Sequence, residues 1–176
     1  MEYPLTFQEI NPDPESRIEK FKNEASPIIF LLDGLEDIRN IGALFRLADA
    51  SRIGSLYGYK MNLEDNANKI ERISRQTTDH IDFHQLDSID EVRNLGSRFK
   101  PIALEYTNKS IAFNTYSKKS PCMLIIGNER RGVSKELLEL CHESLHIPML
   151  GKNSSMNVSV ATGIVTYHLL ATSDII

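Results

Sequence analysis

The sequence predicts an α/β domain with a mostly parallel sheet flanked by helices. Two uninterrupted apolar runs of strand length, residues 28–32 (IIFLL) and 122–126 (CMLII), carry much of that reading. A strand apolar at every position suits a sheet covered on both faces, as parallel sheets are. Such runs alternate with helical periodicity along the whole chain, and no repeat or low-complexity segment interrupts them. At 176 residues and 41% hydrophobic content the chain fits one domain with a sizeable core.

Taken in order, Asp13-Pro14-Glu15 opens a helix with an N-cap acid and a proline at its first position. That helix runs to about Ala25 with Ile18 and Phe21 on one face. The spacing therefore separates an N-terminal helical extension, 1–26, from the main domain, 27–176. After the first apolar strand, residues 38–52 turn helical, with Ile41, Leu44, Phe45 and Ala48 at three- and four-residue spacing. A strand over 55–59 follows, then a polar stretch, 62–78, of mixed helix and loop. A weak strand over 81–86 precedes a capping box, Ser88-Ile89-Asp90-Glu91, which opens a helix to about Phe99. A strand over 101–104, a polar connection through Lys118 and Lys119, and the 122–126 strand come next. Ser134 is expected to cap a short helix to about Cys141. A strand over 144–147 then leads into a polar loop and an uncharged helix over 158–170.

Composition narrows the function. A net charge of −4 argues against nucleic-acid binding by bulk charge, though not against a local basic face. No apolar run reaches membrane-spanning length, so no membrane partner is expected. Met1-Glu2-Tyr3-Pro4 lacks a signal-peptide pattern. Cys122 and Cys141, far apart and without CxxC spacing, read as reduced core thiols of a cytoplasmic protein.

Three segments share one layout, an apolar strand running into a polar or glycine-bearing turn: residues 33–46, 127–132 and 149–157. Ligands of open α/β sheets sit at the carboxyl ends of the strands, so the three turns are placed to converge on one small-molecule site. In the last, Asn153, Ser154, Ser155, Asn157 and Ser159 crowd between two buried elements, more polar groups than one helix cap needs. Arg46 lies on an otherwise apolar stretch of its helix, where a guanidinium either snorkels to water or meets an anion. Residues 43–60 also resemble a helix-turn-helix, but 55–59 read as a strand where a recognition helix is required. His142-Glu143-Ser144-Leu145-His146 spells the zinc-protease HExxH string. On a strand its two histidines stand about 13 Å apart and cannot share a metal. His80 and His84 fail in the same way.

The three segments resemble the three motifs of the SpoU-type (TrmH-like) RNA ribose 2′-O-methyltransferases of the SPOUT superfamily. N-x-G-x-x-x-R matches Asn40, Gly42 and Arg46, and G-x-E-x-x-G matches Gly127, Glu129 and Gly132. I-P-M-x-G-x-x-x-S-x-N-V-S-x-A matches Ile147, Pro148, Met149, Gly151, Ser155, Asn157, Val158, Ser159 and Ala161. Order and spacing agree from about Ile28 to the C-terminus. Ile38 stands where many members have proline, and Met156 where leucine is usual.

The resemblance implies a C-terminal deep trefoil knot, a homodimer, and S-adenosyl-L-methionine bound against Leu104, Glu105, Gly127, Ile147 and Met156, largely through backbone groups. It implies catalytic roles for Arg46, Asn40, Glu129, Ser155 and Asn157. Arg46 would bind phosphate and stabilise charge on the attacking oxygen, since a guanidinium hardly deprotonates. Ser155 and Asn157 would position the hydroxyl, and Glu129 would hold Arg46 or Asn40. RNA contacts are expected from Arg39, Arg52, Arg72, Arg75, Arg130, Arg131 and Lys152. tRNA is favoured over rRNA because the chain is nearly minimal for such enzymes. The alternative, an RNA-binding protein of the same fold that does not methylate, is disfavoured by the intact polar set.

Overall fold

The computed structural model describes residues 4–10, 13, 25–61, 77, 81–117 and 121–172. Residues 14–24 of the helix expected over 13–25, and Arg72, Arg75, His80, Lys118 and Lys119, lie outside the described residues. A short helix, α1 (Phe7–Ile10), precedes the first strand.

The sheet has seven strands: β1 (Ile28–Asp33), β2 (Ser55–Tyr59), β3 (Asp82–Leu86), β4 (Lys100–Leu104), β5 (Ile111–Ala112), β6 (Cys122–Ile126) and β7 (Glu143–His146). Their spatial order is β3-β2-β1-β6-β4-β7-β5, and every pairing is parallel. The late strand β6 sits at the centre, with Phe30 and Ile102 both in register with Leu124. All residues of β1 and β6 are buried, which accounts for the unbroken apolar runs at 28–32 and 122–126.

Helices cover both faces. On one, α2 (Ile38–Ala50) and α5 (Val158–Ala171) pack Ile41, Leu44, Phe45, Ala48, Val165 and Leu169 onto Phe30, Leu124 and Ile126. On the other, α3 (Ile89–Gly96) and α4 (Lys135–Leu140) set Val92 and Leu137 against Leu31, Met123 and Ile125.

The Ser88/Glu91 capping box forms as expected, with Glu91 N–H donating to Ser88 Oγ at 3.3 Å and Ser88 N–H to Glu91 Oε2 at 3.0 Å. Ser134 precedes α4 but makes no side-chain cap; its backbone N–H instead donates to Asp33 Oδ2 at 2.6 Å. The helix-turn-helix reading fails because 55–59 is the strand β2, paired on both edges. The strand β5 and the 3-10 turn Phe113–Thr115 fall inside the expected polar connection; two residues of strand leave no periodicity to read. No helix among the described residues is long and apolar enough to cross a membrane.

Leu124 lies at the centre of the sheet with no solvent exposure. Leu124→Ala is expected to cost about 3 kcal/mol. Urea denaturation should show a lower midpoint with an unchanged slope.

Candidate functional site

The carboxyl ends of the four neighbouring strands β1, β6, β4 and β7 open onto one cavity of about 520 Å³. Its floor is set by the turn after β6. Asn128 and Gly132 exchange backbone hydrogen bonds at 3.0 and 2.9 Å, closing residues 128–132 into a tight loop. Gly132 adopts φ 68°, and a Cβ there would collide with the Glu105 carboxylate. A Cβ on Gly127 would collide with the Gly132 backbone, so both glycines are fixed by close approach as well as by the turn. Asn128, only 7% exposed, locks the loop: its Oδ1 accepts from the N–H groups of Arg130 and Arg131, and its Nδ2 donates to Gly34 O at 2.6 Å. Nothing in the motif pattern distinguishes Asn128, because its work is done by local turn geometry.

Glu129 joins this loop to the start of α2. Its carboxylate accepts from the backbone N–H of Glu36 and Asp37 at 3.3 and 3.2 Å and from Asn40 Nδ2 at 3.0 Å. The Asn40 side chain in turn accepts from Asn157 Nδ2 at 2.9 Å. Asn157 is the N-cap of α5, with its Oδ1 accepting from Ser159 N, Ser159 Oγ and Val160 N. A relay from Asn157 through Asn40 to Glu129 thus ties all three turns together, from positions 129, 40 and 157. Glu105 adds a second tether, accepting from Val133 N–H at 2.9 Å and from Tyr106 N–H at 2.9 Å.

Asn40, Glu129, Ser155 and Asn157 line the cavity, as do Leu104, Glu105, Gly127, Ile147 and Met156. Arg46 does not. It follows Asn40 by six residues, which carries it about 9 Å along α2 and two-thirds of a turn round from it. It is exposed, on the same outer face as Arg39 and Ala50. Glu129 therefore holds Asn40 and not Arg46, because only Asn40 occupies the helix turn facing the β6 loop.

Ser155 is exposed, and no described residue hydrogen-bonds its side chain. Of the basic residues, Arg130 borders the cavity, Arg39 pairs with Asp37 at 2.7 Å and Arg131 pairs with Glu36 at 2.9 Å. Arg52 takes φ 53° just beyond α2, and Lys152 is exposed in the 149–157 loop. The HExxH string falls on β7, and His146 Nδ1 meets Ser110 Oγ at 3.0 Å, which removes the helical geometry a shared zinc requires. Neither cysteine is in a disulfide, and burial pushes the Cys141 thiol up to about 12.

Burial pushes the Glu129 carboxyl up. The hydrogen bonds from Asn40, its own backbone, Glu36 and Asp37 outweigh that effect and hold it below the ordinary glutamate range. A folded-state pKa below the unfolded one contributes stability that is complete above the ordinary range and is lost as pH falls through the lowered value. Glu129→Gln should therefore lower the urea midpoint at neutral pH. The gap to wild type should close as pH is brought down through and below the carboxylate range, read by urea titration in a pH series.

The family model described as SpoU rRNA Methylase matches residues 27–167. The tRNA (guanosine(18)-2′-O)-methyltransferase of Aquifex aeolicus (strain VF5) is 32% identical over 155 residues, spanning 85% of this chain and 72% of that protein. The crystal structure of the A. aeolicus TrmH/SpoU tRNA modifying enzyme superposes with a TM-score of 0.75 at 28% identity, over 88% of this chain and 81% of that one. The SpoU methyltransferase AviRb from Streptomyces viridochromogenes, in complex with the cofactor AdoMet, gives 0.69 at 25% identity, over 80% and 58%. Other curated relatives are longer, the chain spanning 63% and 57% of two of them.

Proposed function

We propose, from the premise that this chain belongs to the SpoU rRNA methylase family, that it transfers a methyl group from S-adenosyl-methionine to a ribose 2′-hydroxyl of RNA. The observation that carries this reading is the Asn157–Asn40–Glu129 relay, which gathers three distant turns around one cavity. Residues 27–176 form the catalytic domain in this reading, and a trefoil knot holds the 147–157 loop against the other two. tRNA is the favoured substrate on the strength of the Aquifex relative's named activity, and an enzyme acting on tRNA would work in the cytoplasm.

The lining suits this cofactor. Among the described lining residues three carboxylates, Asp37, Glu105 and Glu129, stand against one guanidinium, Arg130, so the cavity is net acidic. An acidic lining favours a sulfonium ligand and disfavours a free nucleotide phosphate. Leu104, Ile147, Met149 and Met156 supply apolar contact, and the tight glycine loop brings the backbone close, with Gly127 on the cavity wall. When bound, S-adenosyl-methionine would supply the methyl group, the new carbon–oxygen bond forming in line as the carbon–sulfur bond breaks and the neutral thioether leaves.

The chain's own work is orientation and charge. Ser155, its hydroxyl free at the cavity edge, orients the ribose hydroxyl. Asn40 and Asn157 have their amides committed to one another and hold the wall in place. Arg46 binds an RNA phosphate and stabilises the negative charge that develops on the ribose oxygen as its hydroxyl proton passes to solvent water. Arg39, Arg130, Arg131 and Lys152, with Arg72 and Arg75, provide the local basic face for RNA.

Because Arg46 lies outside its own cavity, it acts in this reading on the site of a second copy. Beside it, α5 exposes Val160, Ile164 and Tyr167 to 54%, 38% and 44%. Tyr167 Oη donates to Ala50 O at 3.3 Å, one turn from Arg46. An apolar helix face next to an arginine with no partner among the described residues fits a twofold partner whose cavity needs that arginine.

Labelled methyl transfer to bulk tRNA and rRNA, followed by digestion to nucleosides, tests the activity. Arg46→Ala should lose at least a hundredfold in turnover while cofactor affinity stays within about twofold. Mixing Arg46→Ala with a cavity-filled Ile147→Trp chain should restore about a quarter of wild-type activity if the arginine acts across a dimer, and none if it acts within its own chain.

A further inference from the structure

We propose that Tyr106 and His146 form an aromatic shelf that receives the adenine ring of the cofactor and selects for its exocyclic amino group. This rests on the methyltransferase reading. Tyr106 borders the cavity yet is 67% exposed, an unusual state for a large ring. Its centroid lies 4.5 Å from that of His146 at an interplanar angle of 46°. A flat heteroaromatic ring stacked on this pair would bury the exposed Tyr106 face.

The His146 ring is held in one tautomer by its surroundings. Ser110 Oγ donates its single proton to Thr107 O at 2.8 Å and accepts from Thr107 N–H at 3.0 Å. Having no further proton to give, it must also accept from His146 Nδ1, 3.0 Å away. In the neutral ring Nε2 is then an acceptor, and none of the described residues occupies it. An amino group satisfies that lone pair; a ring carbonyl in the same place repels it.

The shelf also stands at the appropriate end. Tyr106 follows β4 and His146 ends β7, whereas Asn40 follows β1. β1 and β7 are three strands apart in the sheet, roughly 14 Å. The shelf is therefore remote from the Asn40 end, where the ribose hydroxyl is to be oriented, and is separated from it by the length of an extended small molecule.

Isothermal titration of the full chain with S-adenosyl-homocysteine and with S-inosyl-homocysteine, which carries a carbonyl in place of the amino group, tests the shelf. Wild type should bind the adenosyl ligand more tightly. Tyr106→Ala should weaken that binding about tenfold, and Tyr106→Phe should leave it nearly unchanged. His146→Phe should keep the stack but bring the two ligands to similar affinity. Tyr106 is exposed, so its alanine variant should keep the wild-type thermal midpoint. Unchanged S-adenosyl-homocysteine affinity in Tyr106→Ala would overturn the shelf while leaving the methyltransferase reading intact. Loss of RNA affinity alone in that variant would assign the pair to an RNA base and likewise overturn the proposal. If wild type bound neither ligand, the methyltransferase reading itself would fall.

Discussion

The carboxylate of Glu129 is the constraint on which the site depends. It accepts from two backbone N–H groups at the entry to α2 and from the Asn40 amide. Those backbone donors include groups a helix start leaves without internal partners, and an anion there gains from the helix dipole as well. The same contact turns the Asn40 amide so that its oxygen faces Asn157. One side chain thereby fixes the distance between the β1 and β6 turns and, through a second amide, the origin of α5.

Strand order makes that contact possible. β6 is inserted between β1 and β4, so the turns after all three strands emerge side by side. The sheet supplies spacing, and side chains at the strand ends supply chemistry. Asp33 and Glu105, each near the end of its strand, reach across to backbone N–H groups of 133–134 on the far side of the β6 loop. The loop is consequently held from both flanks, and its glycines are required by what lies against them.

Much of this was legible in the sequence because buried parallel strands and capped helices write simple patterns. The runs at 28–32 and 122–126, the Ser88 capping box and the uncharged C-terminal helix each fall where periodicity puts them. The convergence of Asn40, Glu129 and Asn157 was expected from motif order, but the pairing among them was not, since an amide's partner depends on rotamer and tertiary placement. Arg46 shows the opposite case. Motif membership put it with Asn40, whereas six residues of helix turn it away from the cavity. Asn128 and Tyr106 were missed for different reasons: the first serves turn geometry that leaves no periodic trace, and the second is a single aromatic whose exposure only the fold reveals. Ser134 has a cap residue's identity but is held through its backbone instead.

The central position of β6 also sets the order in which the molecule can form. Glu36 and Glu129, which meet at the site, are 93 positions apart. Until β6 has been synthesised, β1 has a neighbour on one side only, and its apolar edge is open to any other strand. Closing so long a loop is slow, and the earlier β1–β2–β3 ribbon must wait through it. During synthesis, then, the cavity is among the last features to appear, and the chain passes through a stage at which its most apolar strand is its least protected.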